Sequence, residues 1–200
     1  STRISIIHAD RYAEQLREEG AVIASYAERR AEIVRQLAAA AHALGLAPVE
    51  DPALIDEVTS LVERPHVLTC SFETEYLAVP QECLILTMKA NQKYFPLLDR
   101  EGRLTNKFLI VSNIRPADPG QVIGGNERVV RPRLADAKFF FDQDRKRTLA
   151  ARIDALGKVV YHARLGSMGE RVGRVREIAR EIGALIGGPA LAASADRAAH

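Results

Sequence analysis

The sequence predicts an α+β protein in which helices surround a small, mostly antiparallel sheet. Two observations indicate this class. Long stretches carry apolar residues at helical spacing, and shorter stretches rich in β-branched and aromatic residues are bounded by turn residues. The sheet is expected to include a hairpin near 93–113, where KYFPLLD and LTNKFLIVSN flank a turn at Arg100–Gly102. A long helical segment and the start of an all-α domain are predicted to follow.

Composition places the chain among ordinary folded proteins. It has 200 residues, a net charge of +2 and 27% charged residues, which excludes disordered and collagen-like classes. No apolar run approaches the roughly 18 residues of a membrane span, and the N-terminus does not read as a signal peptide. Cys70 and Cys83 lack the spacing of a zinc site or a disulfide framework, so we expect a reduced, cytoplasmic protein. A start at Ser1 rather than Met suggests a piece of a longer chain.

The first quarter of the chain is predicted to be mostly helical. Residues 4–7 (ISII) are expected to form a short strand, and Asp10 to cap a helix that stops near Gly20. The longest apolar stripe follows in 22–44, and Gly45 is a suitable end for that helix.

The next helices and strand have local start and stop signals. Asp51 followed by Pro52 is typical of a helix N-terminus, with an acidic cap and a proline where no N–H is needed. The stretch 66–73 alternates like a strand, and Pro80 precedes another helix.

The densest stretch is 125–147, GNERVVRPRLADAKFFFDQDRKR. Its apolar face is expected to contain Val129, Leu134, Ala137 and Phe141. Pro132 within it predicts either a kink or the first position of a new helix. The stretch is therefore either a core helix with a solvated charged face or a surface that meets a polyanion.

Further along the chain, Ser167 and Glu170 have the spacing of a capping box and predict the start of a helix. The pattern before it is expected to stay helical to about Leu156, where Gly157 interrupts it.

Three consecutive phenylalanines cannot share one core, because successive helical residues span an arc of about 200°. Phe139 and Phe140 are therefore candidates for contact with another domain or subunit, with base stacking as the alternative. Arginine and lysine are the side chains expected at phosphates. The candidate nucleic-acid residues are Lys93, Arg128, Arg131, Arg133, Arg145 and Lys146.

No catalytic or metal-binding motif stands out. The histidines are not spaced as metal ligands, and no nucleophile elbow or complete phosphate-binding loop is present. We predict no catalytic residue and no metal site in this chain.

Several motifs in order give the chain a family resemblance. They are DRYAEQLREEG (10–20), SLVERPHVL (60–68), YLAVPQECL (76–84), MKANQKYFPL (88–97), IVSNI (110–114), GNERVVRPRLADAKFFFDQDRK (125–146) and LGSMGERVGRVREIA (165–179). Together they resemble the beta subunit of bacterial glycyl-tRNA synthetases over nearly the whole chain.

The resemblance implies an internal fragment of a modular subunit. Residues 1–118 would be an α+β region related to the B3/B4-like and linker portion, 119–160 a long helical segment, and 161–200 the first helices of a truncated HD-like domain. The family's enzyme is a heterotetramer whose alpha subunit uses ATP and Mg to activate glycine. The beta subunit is needed for tRNA recognition, so the implied partners are the alpha subunit and tRNA(Gly), with no membrane and no cofactor in this fragment.

Three functions therefore compete. The first is a non-catalytic portion of the synthetase that contacts tRNA and other subunits and is inactive alone. The second is a fragment of an HD-type phosphohydrolase, against which the missing metal spacing argues. The third is a structural scaffold that makes no contact with RNA.

Overall fold

The computed structural model describes residues 3–200. The chain forms two compact units, one ending at Phe141 and one from Asp142 to His200. The α-helices are α1 (Tyr12–Glu18), α2 (Tyr26–Ala43), α3 (Pro52–Leu61), α4 (Gln81–Gln92), α5 (Pro119–Asp144) and α6 (Met168–Ala199). The strands are β1 (Ala47–Pro48), β2 (Pro65–Ser71), β3 (Phe95–Leu98), β4 (Leu104–Asn113), β5 (Val160–His162) and β6 (Gly166–Ser167). The α+β class predicted from the sequence is confirmed.

The first unit is built on a four-stranded antiparallel sheet in the order β1-β3-β4-β2. Strands β3 and β4 form the hairpin predicted near 93–113. Gly102 has a φ of +75° in its turn, and the Asp99 carboxylate accepts hydrogen bonds from the backbone N–H groups of Glu101 and Arg103. Strand β2 lies at the sheet edge and pairs with β4 from Pro65↔Asn113 onward.

Successive residues of β4 belong to two different cores, because side chains alternate between the faces of a sheet. Phe108 and Ile110 pack with residues of α4 and α5, whereas Leu109 and Val111 pack with residues of α2 and α3. The sheet is thus covered on both faces, which explains why four successive residues of β4, Phe108 to Val111, are apolar.

Local signals set most helix ends correctly. The side chain of Asp51 accepts a hydrogen bond from Leu54 N at 2.9 Å, as a cap should, and Gly45 has a φ of +67° just beyond α2. Helix α2 begins after Ser25, whose hydroxyl accepts from Glu28 N, rather than at residue 22 as expected.

The strand predicted at 4–7 does not form. The buried Gln15 side chain donates to the Ser5 carbonyl and accepts from Ile7 N, so it takes the backbone groups that a neighbouring strand would have bonded. Asp10 lies inside a short 3-10 turn, and the cap there is the His8 side chain instead.

The second unit contains a 3-10 helix (Ala150–Lys158), the small β5–β6 hairpin and α6. The predicted capping box is confirmed, since Ser167 and Glu170 each accept from the other's backbone N–H. The β5–β6 hairpin was not predicted. The three-part division of the chain and the HD-like character of its last part stay predictions.

Helix α6 leaves helical geometry at Gly188, where φ is 70° and ψ is −165°, and Pro189 follows. The Arg176 guanidinium bonds both carboxylate oxygens of Asp196, at 3.0 and 2.8 Å. Twenty residues of straight helix would separate these residues by about 30 Å, so the chain folds back on itself at the break. None of the helices within residues 3–200 is both long and apolar enough to cross a membrane.

Candidate nucleic-acid interface

The candidate residues centre on α5, which continues through Pro132. The missing N–H of Pro132 leaves the Arg128 carbonyl without its usual helical partner. Pro132 is exposed, so water can serve that carbonyl and the helix need not end there.

The buried face of α5 is rotated relative to the sequence prediction. Val130 and Leu134 are fully buried, and Ala137 and Phe141 pack partly buried against the same core. Val129, which the apolar pattern placed on this face, is 44% exposed. Val130 lies four residues before Leu134 and shares its face, whereas Val129 lies five residues before it, so helical spacing favours the valine that the structure buries.

Two ionic side chains on one side of α5 bind residues at and just beyond the end of β2. The Glu127 carboxylate accepts from Ser71 N at 2.7 Å and from Ser71 Oγ at 2.9 Å. One turn later, Arg131 forms an ion pair with Glu73 at 2.6 Å. Because Ser71 ends the edge strand β2, these bonds also satisfy a backbone donor that no strand pairs.

A third polar contact fixes the start of the same segment. The Tyr94 hydroxyl donates to Asn126 Oδ1 at 2.8 Å, and Asn126 Nδ2 donates back to the Val122 carbonyl at 2.8 Å. Burial raises the pKa of Tyr94 to about 12, so the hydroxyl keeps its proton at neutral pH. Asn126, Glu127 and Arg131 therefore hold the helix in place.

Arg128 and Arg133 behave differently from these neighbours. Both are exposed, and neither forms an ion pair or hydrogen bond with any residue in the described part of the chain. Arg133 lies five positions after Arg128, which places the two about 140° apart around the helix. Their guanidinium groups are open to an anionic ligand.

The remaining basic candidates are more constrained or lie elsewhere. Lys93 ends α4 in a left-handed conformation, and its Nζ contacts Glu57 Oε1 at 3.0 Å and the Ala90 carbonyl at 3.2 Å. Arg145 and Lys146 lie beyond α5 in the second unit, where both are exposed and Lys146 Nζ donates to Gln143. The structure thus shows that Lys93 and Lys146 are already bonded within the protein, whereas Arg128 and Arg133 are open to a ligand. The nucleic-acid role of each candidate stays a prediction.

Phe139 and Phe140 point away from the core, as the arc of the helix requires. They are 56% and 64% exposed and form an edge-to-face pair with ring centroids 5.5 Å apart. Their proposed role as a contact surface stays a prediction.

Within residues 3–200, no group of three histidine, cysteine or acidic side chains is placed to hold a metal ion. The contacts of Glu127 and Arg131 were not predicted from the sequence, because their partners lie more than fifty residues away in the chain. Only their spacing of four, which places them on one side of a helix, could have suggested a shared role.

Comparison with known proteins gives a consistent result. A family described as "Glycyl-tRNA synthetase beta subunit" matches residues 1–200. The chain is 73% identical over 191 residues to the glycine–tRNA ligase beta subunit of Thiobacillus denitrificans, covering 96% of this chain and 27% of that protein. It is 70% and 68% identical to those of Delftia acidovorans and Paracidovorax citrulli, each over 199 residues, 98% of this chain and 28% of theirs. The chain thus spans just over a quarter of these relatives, and it belongs to the glycyl-tRNA synthetase beta subunit family.

Proposed function

We propose that this chain is a non-catalytic portion of a glycine–tRNA ligase beta subunit. In this role it supports tRNA binding and subunit or domain assembly for the ATP-dependent attachment of glycine to tRNA(Gly) in the cytoplasm. The names of its relatives and the match of the family over the whole chain support this assignment. Glycine activation, with ATP and Mg, belongs to the alpha subunit in this proposal, so the fragment alone is inactive.

One observation carries the RNA part of the proposal. Within a single segment, Asn126, Glu127 and Arg131 are used to hold α5, whereas Arg128 and Arg133 are exposed and unpaired in the described structure. Guanidinium groups donate in a fork that suits phosphate oxygens, and phosphate contacts provide a large share of the affinity for nucleic acids. A firmly anchored helix with open arginines is a suitable base for such contacts.

The assembly part of the proposal concerns Phe139 and Phe140. Two large exposed aromatic rings side by side are more typical of an interface than of a solvated helix face. We propose that they pack against the alpha subunit or another domain of the beta subunit.

A binding titration tests the RNA contact. In the full-length beta subunit assembled with its alpha subunit, Arg128→Ala and Arg133→Ala should each weaken tRNA binding and reduce the dependence of log affinity on log salt by about one. The matched control is Arg100→Ala in the β3–β4 turn, an exposed arginine that also has no partner within residues 3–200. The same salt dependence in all three variants would favour the scaffold function without RNA contact.

A further inference from the structure

A groove in the first unit carries unpaired positive charge. It lies where β2 begins and β4 has just ended, beside α1 and α2, and has a volume of about 730 Å³. Its lining includes four arginines, two glutamates and a histidine. These are Arg17, Arg35, Arg64, Arg115, Glu28, Glu32 and His66.

Only two of the arginines are neutralised within the groove. Arg17 forms an ion pair with Glu28, and Arg35 forms one with Glu32 at 2.6 Å. Arg64 donates to the Arg17 carbonyl at 2.8 Å and has no carboxylate partner in the described residues. Arg115 is exposed, and no hydrogen bond or ion pair to it occurs within residues 3–200.

The backbone at this end of the sheet holds Arg64 and Arg115 together. Asn113 Oδ1 accepts from the N–H groups of both Glu63 and Arg64, and Ile114 N donates to the Arg64 carbonyl at 2.8 Å. Ile114 has a φ of 68°, which is unfavourable for a β-branched residue. Hydrogen bonds of Asn113 and Ile114 thus stabilise an unfavourable backbone conformation at the end of β4, and this conformation places Arg115 in the groove.

We propose that this groove binds the phosphodiester backbone of an RNA, with Arg64 and Arg115 donating to phosphate oxygens. RNA as the ligand rests on the proposed function, but the groove is a separate site from the open arginines of α5. Two guanidinium groups without carboxylates suit a phosphate, which accepts such forked hydrogen bonds.

The outer edge of β2 begins at the groove and ends beside α5. At its start, the Gln36 side chain donates to the Pro65 carbonyl and accepts from Val67 N, at 2.9 and 2.8 Å. At its end, Glu127 of α5 accepts from Ser71 N. Seven residues of strand span about 20 Å, which is the length of about six stacked nucleotides at 3.4 Å each. An RNA strand of that length that leaves the groove along this edge would reach the end of β2, beside α5.

The test uses the full-length beta subunit assembled with its alpha subunit and measures tRNA affinity against salt. Arg115→Ala is the main variant, because Arg115 has no described contact whose loss would disturb the fold. We expect an affinity loss of about five- to tenfold at 0.1 M salt and a salt dependence smaller by about one. Arg115→Lys should recover part of the affinity, and Arg100→Ala is again the control for charge.

The outcomes separate this proposal from the proposed role of α5. Loss of affinity in Arg115→Ala with none in Arg128→Ala and Arg133→Ala would support the groove and refute the α5 contact. The opposite pattern, with Arg115→Ala equal to Arg100→Ala, would overturn the groove proposal. It would also be overturned if Arg115→Ala weakened subunit association and not RNA binding.

A final measurement distinguishes an RNA backbone from free phosphate. Inorganic phosphate is added to the assembled enzyme, and thermal stability is followed with and without saturating tRNA. We expect little stabilisation by millimolar phosphate. Strong stabilisation that Arg115→Ala abolishes and tRNA does not prevent would overturn the RNA assignment.

Discussion

The two units of the chain differ in the kind of internal contact that stabilises each of them. Within residues 3–200, every buried apolar side chain except Ala192 belongs to the first unit. The second unit instead exposes a stripe along α6 at helical spacing. Its members are Val175, Ile178, Ile182 and Leu185, with exposures between 43% and 85%. A core forms in the first unit because helices and strands that are distant in sequence cover each other's apolar faces.

The second unit depends on contacts that are close in sequence or confined to one helix. Gly183 lies directly against the backbone of Ala192, and Arg176 pairs with Asp196 across the same break in α6. In the first unit, by contrast, Glu127 reaches Ser71 and Arg131 reaches Glu73. We therefore expect core substitutions to cause the largest losses of stability in the first unit. In the second unit, substitutions at backbone contacts or helix caps should cause the largest losses.

The largest expected effect is in the core of the first unit. Leu134 is completely buried, so Leu134→Ala should lower the free energy of unfolding by about 2–5 kcal/mol. Ile182→Ala, on the exposed stripe of α6, should change it by less than about 0.5 kcal/mol. Urea unfolding, with hydrogen exchange to assign the loss to β2 and β4, measures both. Equal losses from the two substitutions would contradict the difference between the units.

A smaller effect is expected where α6 folds back. A methyl group on Gly183 would lie 2.9 Å from Ala192 Cα, too close for either backbone to stay in place. Gly183→Ala should therefore destabilise the second unit by about 1–3 kcal/mol. Hydrogen exchange of the α6 amides is the suitable measurement, since the first unit should keep its protection.

The matched control for this prediction is on the same helix. A methyl group added at Gly173 would have no neighbouring atom within 4 Å, so Gly173→Ala creates no clash. Alanine is the better helix former, and the variant should be more stable by about 0.5–1 kcal/mol. If both glycine variants were stabilised, the close approach at Gly183 would not matter to the fold.

Most of the confirmed sequence signals are local, although the cap expected at Asp10 is instead the His8 side chain. The cap at Asp51, the capping box at Ser167, the turn at Gly102 and the helix end at Gly45 all depend on a few neighbouring residues. The strand expected at 4–7 was wrong because a side chain eight to ten residues away takes its backbone groups.

The candidate interface shows the same limit more sharply. The sequence grouped Arg128, Arg131 and Arg133 by type, but only the fold shows that Arg131 is paired with Glu73. The groove was missed entirely, because Arg64 and Arg115 are about fifty residues apart and meet through the pairing of β2 with β4. Whether an arginine is paired or open to a ligand depends on side chains that are distant in sequence, and a local sequence pattern does not show them.

The smallest expected effect is on the pH dependence of stability. It concerns one carboxylate from each unit, Glu32 and Asp196. Hydrogen bonds from Arg35, and in addition from Gln36, lower the pKa of Glu32 from 4.5 to about 2. The Arg176 guanidinium likewise lowers the pKa of Asp196. A carboxylate whose pKa is lower in the folded state stabilises the fold at pH above its unfolded value, and this contribution is lost as pH falls through the folded pKa.

For Glu32 the window is therefore from about pH 4.5 down to about pH 2. Solvent screens this partly exposed pair, so Glu32→Gln should remove about 1 kcal/mol of the pH-dependent stability between pH 6 and pH 3. Urea unfolding at the two pH values measures it, with Asp196→Asn as the counterpart in the second unit. Because Glu32 lies beside the start of β2 and Asp196 joins two parts of one helix, hydrogen exchange should report the first loss in the sheet and the second only in α6. Loss of protection in the same amides for both variants would show that the two units do not respond separately to their ion pairs.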